Sequence, residues 1–434
     1  MMRTASILVA VLAASACANR TTSGKGSTPQ PPATASATTS TSAAKNTPAT
    51  NKTPAKKPSQ KKKQPVVELE PLRIQVIKNK DGTEKVISFD ARQLLDEGNV
   101  ALTAGRNDQA LARFDKLLNF FPSSRLVVPA LYNAGLAHEG KRAWDAAIRR
   151  YRRLLKSSPP SRDAIDAHIR IGAVLSELQR WGTATKQFEA MLARTDLSSS
   201  DRVEGMARLG YVLVEQKNYA RAEKLLEGAL LYARKIRHTA PLSSTYYIAM
   251  AGYYYGRIPH RQALAIPLRV SGPGGDDQLT KDIKTKADTL RLAYDRYLVA
   301  VRLLNPYWST AAAYQMSQMY VEFWETLVLA PVPPQLGPKN AEQYKKELHR
   351  QALVFLQKAL AGHTKNVELA EAFKTSTPWS QSSRSKATEI AGILAKETSG
   401  TLVVPKRRRD GTPLPRGGTV NTRHKGYVPG RVDL

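Results

Sequence analysis

"LLDEGNVALTAGRNDQALARFDKLLNFFP", residues 94–122, and "LYNAGLAHEGKRAWDAAIRRYRRLLKSSP", residues 131–159, decide the fold, because one lies over the other without a gap. The alignment sets Gly98 over Gly135, Ala110 over Ala147, Phe114 over Tyr151 and Pro122 over Pro159, a period of 37 residues. Two further copies follow. "HIRIGAVLSELQRWGTATKQFEAMLAR" (168–194) carries Gly172, Ala184 and Phe188, and "ARLGYVLVEQKNYARAEKLLEGAL" (207–230) carries Gly210, Ala222 and Leu226. In each copy a small residue is followed twelve positions later by a second, and four beyond that by a large apolar one. Self-similarity at such a period marks stacked units of one supersecondary element. The glycine and alanine let paired helices approach closely, and Phe114, Tyr151 and Phe188 are expected to fill the gap between one unit and the next. Pro122 and Pro159 end second helices, because proline cannot continue a hydrogen-bonded helix.

The pattern resembles the tetratricopeptide repeat, a helix-turn-helix unit. The resemblance implies an all-α chain, a TPR-like α-solenoid of about four units over 90–236, with a concave groove lined by the first helices that binds protein partners. The period exceeds the family's usual 34. That implies longer helices or loops, as in envelope-associated members, where a "P-x-S" start such as Pro122-Ser123-Ser124 often opens the next unit. In members that clamp a peptide's terminal carboxylate, two Asn and three basic side chains line the groove. Asn99, Asn133 and Arg170 fall on three of those positions, while Leu95 and Asp166 occupy the two lysine positions. The departure argues against a C-terminal carboxylate as ligand. The Asn pair is expected to hydrogen-bond a partner's backbone and Arg170 to pair with an acidic side chain. The competing reading is that surface Asn and Arg are common and the matches partly coincidental.

Upstream, "RIQVIKNKDGTEKVISF" places two β-branched runs around Asp81-Gly82, the signal of a short β-hairpin within 66–89. Downstream, 237–400 reads as a divergent TPR-like helical region. A fifth unit around Gly252 has Pro267 interrupting what should be its second helix. Helices are expected from Asp277 to Asn305, through "STAAAYQMSQMYVEFWETLVLA", over 340–361, in a shorter stretch, and near 381–397. Tyr314, Met319, Tyr320, Phe323 and Leu327 fall at helical spacing as a core stripe. "YLVAVRLLNPYWSTAAAYQMSQMYVEFWETLVLAPVPP" (297–334) is similar to a segment of myxobacterial envelope proteins with tetratricopeptide repeats, some of them lipoproteins assigned to gliding motility.

Cys17 is the only cysteine of 434 residues, which excludes an internal disulfide and a multi-thiolate metal site. Arg3, an apolar run from Ile7 to Leu12 and small residues before Cys17 have the order of an export signal. Ala14-Ser15-Ala16-Cys17 resembles the lipobox of bacterial lipoproteins, with Ala14 where Leu is usual. The resemblance implies a signal peptide over 1–17 and lipidation of Cys17, with plain signal cleavage as the alternative. Asn19 stands where Asp commonly signals inner-membrane retention, which favours an outer-membrane anchor facing the periplasm. Residues 18–65 are a Pro, Thr and Lys-rich linker without an acidic or aromatic residue, too polar to fold.

The chain carries a net charge of +30; nine excess positive charges lie on the linker, six on the tail from Lys406 and one at Arg3, leaving +14 on the body. Basic disordered ends, 401–434 included, are expected to meet anionic envelope surfaces. Nucleic acid is disfavoured as a partner, because no recognition module accompanies the charge. Seven histidines show no metal-ligand spacing, no G-x-S-x-G elbow occurs, and Asp276-Asp277 lies in the "SGPGGDD" loop. No cofactor, metal or catalytic residue is expected. The reading is a non-enzymatic scaffold or assembly factor of the cell envelope that binds partner proteins through the groove, with a gliding-motility complex as the setting the resemblance implies; the alternative is a basic-tail binder of anionic polymer or nucleic acid.

Overall fold

The computed structural model describes residues 71–78, 81–157, 161–270 and 275–405. The expected signal peptide with Cys17, the linker, and the tail from Lys406 lie outside the described residues. Two strands, β1 (Arg73–Lys78) and β2 (Glu84–Phe89), pair antiparallel with Val76 opposite Val86. Gly82 adopts φ +83°, and Asp81 accepts the amide of Thr83 at 3.0 Å and its hydroxyl at 2.6 Å. Ile74, Val76 and Val86 share one face of the hairpin and are exposed. Phe89 anchors it: the ring is buried edge-on against Phe120 and Phe121, with the Lys116 ammonium 3.4 Å above it.

Asp90 then caps α1 (Ala91–Thr103) by accepting the amide of Gln93 at 2.7 Å. Helices follow in antiparallel pairs: α2 (Asn107–Phe120), α3 (Val127–Gly140), α4 (Trp144–Ser157), α5 (Arg162–Glu177), α6 (Trp181–Leu192), α7 (Ser199–Glu215) and α8 (Tyr219–Ile236). The rings expected between units are seated first on the glycines of their own units. A Cβ added at Gly98, Gly135, Gly172 or Gly210 would come within 3 Å of Phe114, Tyr151, Phe188 or Leu226 respectively. Ala110, Ala147, Ala184 and Ala222 are fully buried beside them. Within each unit the turn has one geometry. Gly105, Arg142, Gln179 and Lys217 all take positive φ, and the next amide reaches back to Ala101, His138, Leu175 or Leu213 at 2.8–2.9 Å. That closure satisfies carbonyls a helix end would otherwise leave without a donor.

Beyond residue 236 the helices lengthen: α9 (Tyr246–Ala265), α10 (Gly275–Arg302), α11 (Pro306–Val328), α12 (Pro338–Ala372) and α13 (Pro378–Thr398). Three expectations are corrected. Pro267 does not interrupt a second helix; α9 runs through Pro259 and ends before Pro267, and its partner is α10. Residues 275–277 are the first turn of α10, not part of a loop. The helix expected over 340–361 and its shorter successor are one helix of 35 residues, α12. Tyr314, Met319, Phe323 and Leu327 are core as read, with Tyr320 packed partly buried beside them.

The fifth unit keeps the glycine seat in a stretched form. A Cβ on Gly256 would meet the Tyr297 ring at 2.6 Å and its backbone nitrogen at 2.9 Å; Tyr297 and Ala293 are fully buried. The ring sits 41 positions after the glycine instead of 16, so about 25 residues are inserted between the two halves of the contact. Arg269 and Asp282 pin that insertion, with guanidinium to carboxylate distances of 2.9 and 3.1 Å, and Lys286 donates to the Ala263 carbonyl at 2.8 Å.

Candidate partner-binding groove

The first helices of successive units are neighbours, α1 beside α3, α3 beside α5, α5 beside α7 and α7 beside α9. In a solenoid of helix pairs this row forms the inner face. Asn99 on α1 and Asn133 on α3 are both half-buried, and the Asn133 amide donates to the Asn99 side-chain carbonyl at 2.7 Å. The two candidate asparagines therefore form one rung across two units. Each keeps further donor and acceptor capacity, because a carboxamide offers two N–H groups and a carbonyl.

Arg170 on α5 sits differently. Its Nη1 lies 3.4 Å from Glu139 Oε2 and its Nε donates to the Tyr132 hydroxyl at 3.5 Å, while the Tyr151 hydroxyl donates to Glu139 Oε1 at 2.6 Å. The side chains of Arg170 and Glu139 are 18% and 10% exposed. Burial lifts Glu139 above the usual carboxylate range, and Arg170 and the Tyr151 hydroxyl limit the rise. Burial works against the Arg170 charge, but Glu139 and the two tyrosines outweigh it and hold the guanidinium above its ordinary range. Burial likewise pushes the Tyr132 hydroxyl up to about 12. The structure thus places Arg170 in an ion pair that ties α5 to α3 within the chain.

The lysine-equivalent positions are also internal. Leu95 is 5% exposed core, and Asp166 lies 3.1 Å from Arg162, which also reaches Asp201 on α7. One unit further, Arg208 pairs with Glu204 at 2.7 Å and donates to the Tyr247 hydroxyl at 2.9 Å. Arg261 then meets both Glu215 oxygens at 2.8 Å and the Val214 carbonyl at 2.9 Å. The floor of the groove is a ladder of arginines, each tied to a carboxylate and two of them, Arg170 and Arg208, also to a tyrosine of the adjoining unit. Sequence reading passed over Glu139, Glu204, Arg208 and Tyr247. A signal existed: Arg170 and Arg208 both precede the seat glycine of their unit by two positions.

A file of rings runs beside the ladder. Trp181 meets Tyr211 at 5.9 Å, Tyr211 meets Tyr254 at 4.9 Å, and Tyr254 meets Trp308 at 5.9 Å. Tyr253 carries it on from Trp308, at 5.2 Å, to Trp379, at 6.5 Å. His168 is half-buried between α5 and α6, its Nδ1 2.6 Å from Gln187 Nε2, and burial holds its imidazole below the ordinary range. Among the described residues no group of three or more His, Cys, Asp or Glu side chains is placed to hold a metal ion. No described helix is long and apolar enough to cross a membrane.

Residues 95–162 match the family model described as the tetratricopeptide repeat. No curated protein matches the chain. Solved structures similar to it include MamA 41-end from Desulfovibrio magneticus RS-1, at 15% identity over 46% of this chain and 94% of that one, TM-score 0.31. YrrB, described as a TPR protein with an unusual peptide-binding site, shares 17% identity over 49% and 91%, TM-score 0.33. PilF of Pseudomonas aeruginosa shares 16% identity over 54% and 95%, TM-score 0.32. Similarities this distant carry no functional argument. The stretch that matches the tetratricopeptide repeat model is 95–162, and the same glycine seat and turn geometry continue beyond it to residue 236.

Proposed function

We propose that the chain is a non-enzymatic protein–protein interaction scaffold or assembly factor of the bacterial cell envelope. The observation that carries the reading is the continuous row of first helices, with the half-buried Asn99–Asn133 rung open to a partner's backbone amides and carbonyls. Arg170, held by Glu139, stiffens the row, so its part in recognition is to fix the surface on which a partner segment lies. The lipobox-like Ala14-Ser15-Ala16-Cys17 supports a lipid anchor on Cys17 and an outer-membrane position facing the periplasm. The block 297–334, similar to a segment of myxobacterial envelope proteins of which some are assigned to gliding motility, supports a place in a gliding-motility complex.

Crosslinked affinity capture of the full-length protein from its native envelope fraction tests the reading. A defined set of envelope proteins is expected, lost in the double variant Asn99→Ala and Asn133→Ala. Arg170→Ala is unsuited to this purpose, because it strands Glu139 without its cation and costs stability. Unchanged recovery with the double variant would refute the groove. Salt-released nucleoid or ribosomal proteins would favour the basic ends as the binding element instead.

A further inference from the structure

The second helices carry a charge pattern that the groove leaves unused. Carboxylates of one unit reach basic groups of the next: Asp115 meets Arg150 at 2.7 Å, Asp145 meets Arg180 at 2.7 Å, Asp108 meets Lys141, and Glu189 meets Arg221. Between these pairs α4 presents Arg149, Arg152 and Arg153 to solvent. None of the three side chains has an ion pair or side-chain hydrogen bond among the described residues. Their positions follow from the sequence "AAIRRYRRLL": Ala147, Ile148, Tyr151 and Leu154 take the buried stripe, so the intervening arginines must face outward.

Arg149 stands between two clefts. One, of about 340 Å³, has Ile148 and Leu175 in its lining together with Arg149, Arg152, Arg180 and Asp145; the other, of about 310 Å³, lies between His138, Ala146, Arg150 and Arg153. We propose that this face of α4 is a second docking surface, for a short acidic segment of a partner protein. Its carboxylates would sit on Arg149, Arg152 and Arg153, and an apolar side chain would enter the cleft over Ile148 and Leu175. Charge complementarity selects the class. A 14-residue helix is about 21 Å long. Beyond it Lys141 and Arg221 are already held by Asp108 and Glu189, so they add no free positive charge that would extend the surface into a track for a continuous phosphate backbone. Ile148 and Leu175 give the first cleft a small apolar floor inside a charged rim, which suits a protein side chain flanked by carboxylates better than a phosphate. The surface goes beyond the groove and does not depend on it.

Fluorescence anisotropy tests this with the full-length protein and a fluorescein-labelled twelve-residue peptide repeating Glu-Asp-Leu. The peptide should bind with an affinity that falls as salt rises. The triple variant Arg149→Gln, Arg152→Gln and Arg153→Gln should weaken it by at least about tenfold, since each lost contact is charge-assisted. The corresponding triple lysine variant should recover most of the affinity, and Asn133→Ala should leave it unchanged. The proposal is overturned if the peptide does not bind, or if the glutamine variant binds as tightly as the wild type, which would assign binding to the basic ends. It is equally overturned if single-stranded oligonucleotide or phosphatidylglycerol vesicles outcompete the peptide through the same arginines.

Discussion

Gly135 and Gly256 make the same contact in two halves of the molecule that are wired differently. In the units over 90–236 a ring, or Leu226 in the fourth unit, lies on a glycine 16 positions before it, joined by a tight turn with one residue at positive φ. In the region after 236 the ring of Tyr297 lies on Gly256 across an insertion, and the α9 and α10 backbones come closer still. Short connections hold the first half to a period of 37 or 38 residues; the second keeps the packing and loses the period. Cross-unit ties differ as well. The first half uses arginine–carboxylate pairs exposed to graded degrees, and the second uses rings and fully buried polar groups such as His363, Asn366 and Ser383.

The largest effect should come from the ring cluster of the second half. Trp379 is 5% exposed and packs against Tyr253, Tyr307 and Tyr314 with centroids 5.5–6.5 Å apart. Trp379→Ala should cost about 3–5 kcal/mol, read as loss of hydrogen-exchange protection in α11–α13 while α1–α6 stay protected. Uniform loss along the chain would erase the distinction between the halves.

His363 supplies a pH signature that belongs to the second half. Burial, helped by the Lys386 charge, holds its imidazole down at about 4 against 6.5 when unfolded. Between those values the unfolded state binds more protons, so stability is fully present above pH 6.5 and falls as pH drops toward 4, by up to about 3 kcal/mol. His363→Gln should flatten that part of the curve in urea unfolding at stepped pH. An unchanged slope would place the acid sensitivity elsewhere.

A smaller gain sharpens the account of the turns. Gly105 has φ +74° and Gln179 has φ +56° at the same place in their units. Gln179→Gly should therefore stabilise by about 1 kcal/mol, because a Cβ opposes the left-handed region. A lower thermal midpoint would mean that the glutamine side chain contributes more than its backbone costs.

The sequence made the first half legible because its signals are local and repeated: small residue, small residue and large apolar residue at constant spacing, with a proline after the first two units. The Asn99–Asn133 pair was legible by counting, but the Arg170–Glu139 pair was not, since its members lie 31 positions apart on different helices. Pro267 misled for a physical reason. A proline marks where a helix cannot continue, and here it stands past the end of a long first helix instead of inside a second one. The join at residues 361–372 was missed because the buried stripe continues through polar His363 and Asn366 in place of apolar residues, so the loss of apolar periodicity read as a break. The α4 arginines were visible as charge; that they stay unpaired depends on which neighbours already hold the carboxylates.

The most direct test of the shared design compares Gly135→Ala with Gly256→Ala by urea unfolding of the full-length protein. In an open helix either change should stabilise by up to about 1 kcal/mol. If both glycines seat a ring, both variants should be destabilised by about 1–3 kcal/mol, with Gly256→Ala at least as severe, because the Tyr297 backbone nitrogen 2.9 Å away cannot rotate aside. A neutral or stabilised Gly256→Ala protein would contradict the account and leave the solenoid design confined to residues 90–236.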